Sequence, residues 1–329
     1  MNMQTKLAII AIVVVITLAS LAVSQINFNS DFSTTDNSKF QVVASAGFLH
    51  EFAQNIGKEK IDSTLLTPIG VNPHDWEPTI RDTERLQKAD MIIVNGIGYE
   101  HWLNSLELSD IAGILVDTSN GISTLDSANH DEEKHDDHAK EDGHDDHAKE
   151  DGHDDEDNHN HGVLDPHIWL NPVYAQLQVK NIANALSNSD PTNKNYYQSN
   201  AAIYNQKLNL LDTKIRTELS GCKTDFITFH DAFSYFSEEY GLTQHTIISS
   251  NDSHGDVTPK TLEHIISLAR ELNIKVIFAE ENTSTKTSQV IADEIGGKVL
   301  VLSPLEIVSD ETYVEKMTQN LNNLKDALC

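Results

Sequence analysis

Three histidines lie in three short, widely separated segments whose residue types suit metal binding. His74 lies in NPHDWEP, His167 in DPHIWLNP and His230 in ITFHDA, each beside a strand-like or proline-bounded stretch. Three neutral imidazoles suit Zn(II), a borderline ion that takes nitrogen ligands at roughly 2.0–2.1 Å in a tetrahedral shell. Mg²⁺ and Ca²⁺ prefer oxygen ligands. We therefore expect the three histidines to form one buried zinc site.

A second group of histidines lies in an acidic stretch between the first two segments. Residues 130–161 hold eight of the sixteen histidines, and their fifteen acidic residues against three lysines give a net charge of −12. Residues 135–143 recur unchanged as 144–152, and a degenerate copy follows. This composition cannot bury a core, so we expect disorder without metal. The stretch is either a set of weak zinc sites, which could capture zinc, pass it on or report excess, or a solvated spacer.

The overall composition limits the class of protein. The chain has 329 residues, of which 39% are hydrophobic, enough for about two globular domains. Its net charge is −28, and only part of that lies in residues 130–161. Nucleic-acid binding needs a basic face that releases counterions from the phosphates. We therefore expect no nucleic-acid partner.

The N-terminus carries an apolar stretch that predicts export. Residues 7–23 are uncharged and mostly apolar, and the first charged residue after them is Asp31. This length is short for a membrane-spanning helix and long for the apolar part of a signal peptide, so residues 1–24 are a signal peptide or a membrane anchor. A buried helix of the folded domain is the alternative. We expect an extracytoplasmic protein, periplasmic or at the cell surface, with residues 25–39 as a linker.

The chain contains two cysteines, Cys222 and Cys329. An exported protein folds in a compartment where thiols oxidise, which favours a disulfide between them. Two free thiols are equally compatible with the sequence.

An alternation of strands and helices must position the histidines. Short apolar runs at 40–45, 91–95 and 114–117 predict strands buried on both faces. A helix is predicted over 79–89, between two of these strands. This pattern is typical of a parallel sheet.

The alternation continues towards the C-terminus. A helix is predicted over 175–187, and a long, largely solvated helix over 193–219, where apolar residues recur every three or four positions. The strands predicted after it are 225–229, 274–279 and 298–303, and the helices are 232–240, 261–272 and 288–295.

Together these elements predict an α/β fold of two lobes joined by a helix. Residues 40–190 form the first lobe, 191–221 the linking helix and 222–329 the second lobe. Ligands of open parallel sheets bind at the carboxyl ends of the strands. His230 and Glu280 both follow predicted strands directly.

The three histidine segments, in this order and spacing, resemble the metal motifs of the zinc and manganese solute-binding proteins of ABC importers, the cluster A-I group. The resemblance runs from about Phe40 to the C-terminus and includes the histidine-rich insertion. It implies parallel sheets flanked by helices in two lobes, one long rigid helix joining them, and a metal in the cleft between the lobes. It also implies delivery of the metal to an ABC permease in the membrane. We expect a monomer that is not an enzyme.

The resemblance also assigns the metal ligands. His74, His167 and His230 correspond to the three imidazole ligands of the family, and His230 favours zinc over manganese because manganese-type members have a carboxylate at that position. Glu306, in LSPLE, resembles the glutamate that zinc-binding members use as the fourth ligand. Glu280 and a water molecule are the alternatives.

Four neighbouring residues are expected to support these ligands. Asp165 and Asp231 could each accept the second ring N–H of a ligand histidine. Trp76 and Trp169, each two residues after a histidine, are expected to pack around the site and exclude water.

Other functions are compatible with the same residues. One is a manganese- or iron-binding importer component, and another is a surface adhesion protein of the same family. A secreted zinc hydrolase would also use three histidines, but it needs water in the fourth position and a carboxylate base. The sequence contains no His-Glu-x-x-His motif.

Overall fold

The computed structural model describes most of the chain from Lys39 onward. The described residues are Met3, 39–71, 73, 76–106, 111–125, 164–248, 257–281 and 285–329. The predictions for the N-terminal apolar stretch and nearly all of its linker, for His74 and for residues 130–161 fall outside them. None of the described helices combines the length and the apolar character needed to cross a bilayer.

The first lobe is built on a parallel sheet of four strands. Its elements are β1 (Phe40–Ala44), α1 (Gly47–Gly57), β2 (Ile61–Leu65), α2 (Ile80–Lys88), β3 (Met91–Val94), β4 (Ile114–Asp117) and α3 (Pro172–Ser189), and the long helix α4 (Lys194–Leu219) follows them. The strand order is β2-β1-β3-β4. Alternate residues of β3 belong to two different core clusters, since both faces of the sheet are covered.

The second lobe contains another parallel sheet of four strands. Its elements are β5 (Asp225–Thr228), α5 (Ser234–Tyr240), β6 (Thr243–Thr246), α6 (Pro259–Glu271), β7 (Val276–Ala279), α7 (Lys286–Ile295), β8 (Lys298–Val301) and α8 (Tyr313–Leu328). The strand order is β6-β5-β7-β8, so β5 and β7 are central. The predicted α/β fold with two parallel sheets is confirmed.

The helix α4 packs against both lobes. Its 26 residues correspond to a length of about 39 Å. It contacts α1 and α3 of the first lobe and α5 and α8 of the second. Phe52, Leu208 and Phe226, from the first lobe, α4 and the second lobe, belong to one core cluster. The helix is therefore less solvated than the sequence predicts, because eight of its residues form a buried stripe.

A disulfide joins Cys222, just after α4, to Cys329, just after α8. Of the two possibilities that the sequence leaves open, the bridge is the one found. It ties the end of α4 to the last helix of the second lobe.

Removing this bridge is expected to lower the free energy of unfolding by about 2–4 kcal/mol, because the bridge closes a loop with a sequence separation of 107 residues in the unfolded chain. Urea unfolding with and without reductant measures the effect. The double substitution Cys222→Ser and Cys329→Ser should show the same loss and no response to reductant. Equal urea midpoints for the oxidised and reduced protein would contradict the expectation.

Candidate metal site between the lobes

His167 lies in a buried turn that leads into α3. Its ring Nδ1 is 2.6 Å from Oδ1 of Asp165, and the same oxygen accepts its backbone N–H at 2.9 Å. Asn171 caps α3 by accepting the N–H of Val173, and Pro172 occupies the first helical position. These contacts fix the imidazole so that Nε2 points into the space between the lobes, where it is 3.1 Å from Oε1 of Glu306.

His230 lies two residues after β5, at the carboxyl end of the second sheet. The imidazole is buried, and its Nδ1 contacts Oε1 of Glu280. Glu280 directly follows β7, the strand next to β5, and the same oxygen accepts the backbone N–H of His230 at 3.2 Å. The His230 carbonyl accepts bonds from Thr228 and Gln244. With Nδ1 held by Glu280, Nε2 is directed towards Glu306 at 3.9 Å.

Glu306 lies in the segment between β8 and α8. Its carboxylate is buried, and the potential ligand atoms of His167, His230 and Glu306 all lie within 4.8 Å of one another. Among the described residues this is the one cluster of three or more such groups that could hold a metal. Since Nδ1 of each histidine contacts a carboxylate, each ring offers Nε2 to the cluster. Glu306 lies on the Nε2 side of both rings, whereas Glu280 lies at Nδ1 of His230, so the geometry favours Glu306 over Glu280 as a fourth ligand.

The carboxylates around the two imidazoles change their pKa values. Burial by itself lowers the pKa of His167, but Asp165 and Glu306 together raise it to about 10. Burial and the neighbouring His167 lower the pKa of His230, while Glu280 and Glu306 raise it, and the net direction is upward. The metal-free site therefore favours protonated imidazoles, and a metal must displace these protons to bind.

Trp169 forms an apolar wall beside His167, as the sequence predicts. The indole is fully buried, stacks on Phe48 with ring centroids 4.5 Å apart, and lies 5.1 Å from the His167 ring. Its Nε1–H donates to the Pro304 carbonyl at 2.8 Å, and its own carbonyl accepts the Tyr313 hydroxyl at 2.7 Å. Trp169 thus joins the His167 segment to the Glu306 segment. Trp76 packs edge-on against Trp102.

The two described ligand histidines each have a carboxylate at Nδ1. Asp165 accepts from His167, as expected, and Glu280 contacts His230. Oδ1 of Asp231 accepts the Ser234 hydroxyl. Sequence spacing could not find the contact between His230 and Glu280, because the two residues are 50 positions apart. The sequence did offer one signal for this contact, since His230 and Glu280 both follow predicted strands, and these strands are neighbours in the sheet.

Tyr235, which the sequence did not single out, joins two chain segments beside the site. Its hydroxyl accepts the N–H of Leu125 at 3.0 Å and donates to the Asp165 carbonyl at 2.7 Å. The N–H of Asp165 also donates to the Leu125 carbonyl at 3.0 Å. Leu125 and Asp165, which flank residues 126–163, are therefore hydrogen-bonded to each other and to Tyr235 directly before His167.

The fold and the site are those of a metal-specific solute-binding protein. Two parallel sheets share one long helix that packs on both lobes, and imidazole and carboxylate donors meet between the lobes. The chain belongs to the ZnuA family, described as zinc-uptake complex component A, periplasmic, whose family model matches residues 42–327. The resemblance inferred from the histidine segments is thereby confirmed.

Individual relatives extend over most of the chain. The chain is 40% identical to the high-affinity zinc uptake system protein ZnuA of Bacillus subtilis over 299 residues, 88% of each chain. It is 32% identical to the zinc-binding protein AdcA of Streptococcus pyogenes, over 87% of this chain but 56% of AdcA. Among solved structures, the metal-dependent lipoprotein YcdH of Bacillus subtilis matches with a TM-score of 0.71 and 36% identity, covering 88% of this chain and 99% of that one.

Proposed function

We propose that this protein captures Zn(II) outside the cytoplasm and delivers it to an ABC permease for import. The observation that carries the proposal is the convergence of His167, His230 and Glu306, whose donor atoms lie within 4.8 Å of one another in a buried site. Two imidazoles and a carboxylate form a donor set that suits zinc. The zinc-uptake relatives support the same cargo.

The proposed ligand set is His74, His167, His230 and Glu306. His74 enters on its sequence motif, and it would complete a four-coordinate site of three nitrogens and one oxygen. Asp165 and Glu280 hold the outer nitrogens of two of the rings, an arrangement that fixes the ring orientation and increases the basicity of the ligating nitrogen.

The proposed activity is capture and release, not catalysis. A zinc hydrolase keeps one coordination position open for water and places a carboxylate base near it. Here Glu306 is in contact with the imidazole nitrogen that would bind the metal, so its carboxylate supports a closed ligand set. Manganese is expected to bind less well, because it prefers oxygen ligands and two of the donors in this site are imidazole nitrogens.

We further propose roles for the parts of the chain outside the described residues. Residues 1–24 would serve as the export signal or membrane anchor, and 25–39 as the linker to the lobes. Residues 130–161 would collect zinc at weak, overlapping sites. These roles rest on composition and on the repeat in the sequence.

A metal titration of residues 40–329, with and without residues 130–161, tests the binding proposal. Native mass spectrometry is expected to show one tightly bound zinc in both proteins and weaker manganese binding. Loss of all tight zinc together with residues 130–161 would contradict a site between the lobes. In that case the protein would be a zinc buffer based on its repeat.

Delivery to a permease is tested separately in cells. Deleting the gene is expected to abolish growth when a chelator limits zinc, and the wild-type gene should restore it. A His230→Ala gene, expressed at the same level, should not. Unchanged zinc uptake in the deletion strain would argue against the transport role while leaving the binding site intact.

Tyr235→Phe is expected to weaken zinc binding about 5- to 150-fold, because two hydrogen bonds that hold Leu125 and Asp165 together are lost, at roughly 0.5–1.5 kcal/mol each. Competition with a chelator of known affinity measures the change. Tyr240→Phe is the matched control, since it removes a hydroxyl on the same helix that donates to Asp212 at 3.1 Å. Equal effects of the two substitutions would contradict a role for Tyr235 at the site.

A further inference from the structure

The segment that carries Glu306 has an unusual backbone. Leu305 adopts a φ of +59°, in the left-handed region that residues other than glycine rarely occupy. Its N–H donates to the Ser303 hydroxyl at 3.1 Å, and its side chain is buried. Such a conformation persists only where the surroundings hold it. The position of the Glu306 carboxylate therefore depends on what fixes residues 303–307.

Two buried polar side chains of α8 hold this segment at its two ends. Asn320 accepts the N–H of Ser303 at 2.8 Å and donates to its carbonyl at 2.7 Å. Lys316 donates from Nζ to the Ile307 carbonyl at 2.9 Å. Lys316 and Asn320 are four residues apart and so lie on the same face of the helix.

Lys316 also contacts the second acidic segment of the site. Its Nζ lies 2.9 Å from Oε2 of Glu281, the residue directly after Glu280. The Lys316 ammonium group thus connects Ile307, which follows Glu306, to Glu281. Glu281 in turn follows Glu280, the partner of His230. Lys316 is only 4% exposed, and a lysine is rarely buried unless its charge is paired.

We infer that Lys316 is a positioning residue for zinc binding, which holds the Glu306 carboxylate at its place in the ligand set through the Ile307 carbonyl. The inference rests on the proposed zinc site. Lys316 does not contact the metal in this arrangement, and Glu281 serves to fix the ammonium group. Without this contact, the left-handed turn at Leu305 can relax and carry the carboxylate away from His167 and His230.

Lys316→Met tests the inference, because methionine preserves most of the side-chain volume and removes the ammonium group. The Glu281 side chain is 26% exposed and can turn to solvent, so no charge is left buried. The full-length protein carrying K316M is expected to bind zinc about tenfold more weakly, within the range for residues that orient metal ligands. The matched control is Lys325→Met on the same helix, where Lys325 is 2.7 Å from Glu218 and far along α8 from the site. It should bind zinc as the wild type does.

A double-mutant cycle with Glu306→Gln separates positioning from a general loss of stability. If Lys316 acts through Glu306, K316M should weaken zinc binding by less than about twofold in the E306Q background. A full tenfold loss in both backgrounds, or no loss in K316M alone, would overturn the inference. Should K316M fail to fold, Lys316→Gln provides the same comparison. No effect of E306Q itself, or no zinc bound by the wild type, would instead overturn the proposed zinc site.

Discussion

His230→Ala is expected to weaken zinc binding by about a hundred- to a thousandfold. Structural zinc sites contribute roughly 10–16 kcal/mol in all, so one of four ligands accounts for about 2.5–4 kcal/mol. The substitution also leaves Glu280 buried without the imidazole that its carboxylate contacts. Deleting residues 130–161 should change the affinity of the tight site far less, since Asp165 and Glu280, which contact the two imidazoles, lie outside that stretch.

Competition against a chelator of known zinc affinity measures both variants on one scale. His245→Ala is the matched control, because His245 lies on β6 of the same sheet and contacts Asp225 at 2.9 Å, away from the cluster. It should bind zinc as the wild type does. Equal losses from His230→Ala and from the deletion would refute a separate site between the lobes.

Zinc affinity is also expected to rise steeply with pH, and to keep rising above pH 6.5. A free imidazole with a pKa near 6.5 would stop responding there. In this site the pKa of His167 is raised to about 10, so at pH 7 this ring carries a second proton that zinc must displace, and the pKa of His230 is raised as well. Each displaced proton corresponds to about one log unit of affinity per pH unit.

Calorimetry at pH 7 in two buffers of different ionisation enthalpy counts the released protons, and at least one per zinc, from His167, is expected. Asp165→Asn should reduce the count by about one, because Asp165 is the main carboxylate that raises the pKa of His167. An affinity that stays constant between pH 6.5 and 8 would contradict the expectation. Acid would accordingly favour release of the ion.

The sequence predicted those parts of the fold whose signals are local. The run MIIV of β3 is apolar throughout and buried on both faces, so its type and position were evident. The edge strands β2 and β6 read IDSTL and TQHT, and their side chains are mostly partly exposed, which gave no comparable signal. The helix α8 was also missed, because polar residues dilute its apolar stripe and several of them, such as Asn320, are buried for structural reasons.

The same distinction applies to the site. His167 and His230 were predicted from their motifs, and the structure brings them together with Glu306. Asp165 was expected as a partner of a ligand histidine, but Glu280, Tyr235 and Lys316 were out of reach, because their contacts join residues far apart in the chain. Tyr235 is 70 positions from Asp165, and Lys316 is 35 from Glu281. The residues next to such a side chain in the sequence form no pattern that predicts its partner, and only the tertiary structure reveals that partner.

The junction at Leu125, Asp165 and Tyr235 has a consequence for how this chain can evolve. Since hydrogen bonds fix both ends of the intervening stretch, repeats can be gained or lost there without moving His167. The entropy of closing a flexible loop grows only logarithmically, at about 0.6 kcal/mol for each doubling of its length. The exact nine-residue duplication in the sequence is the kind of change that such a junction tolerates. A change in the number of histidines in that stretch would therefore leave the hydrogen bonds that hold the segment of His167 unchanged.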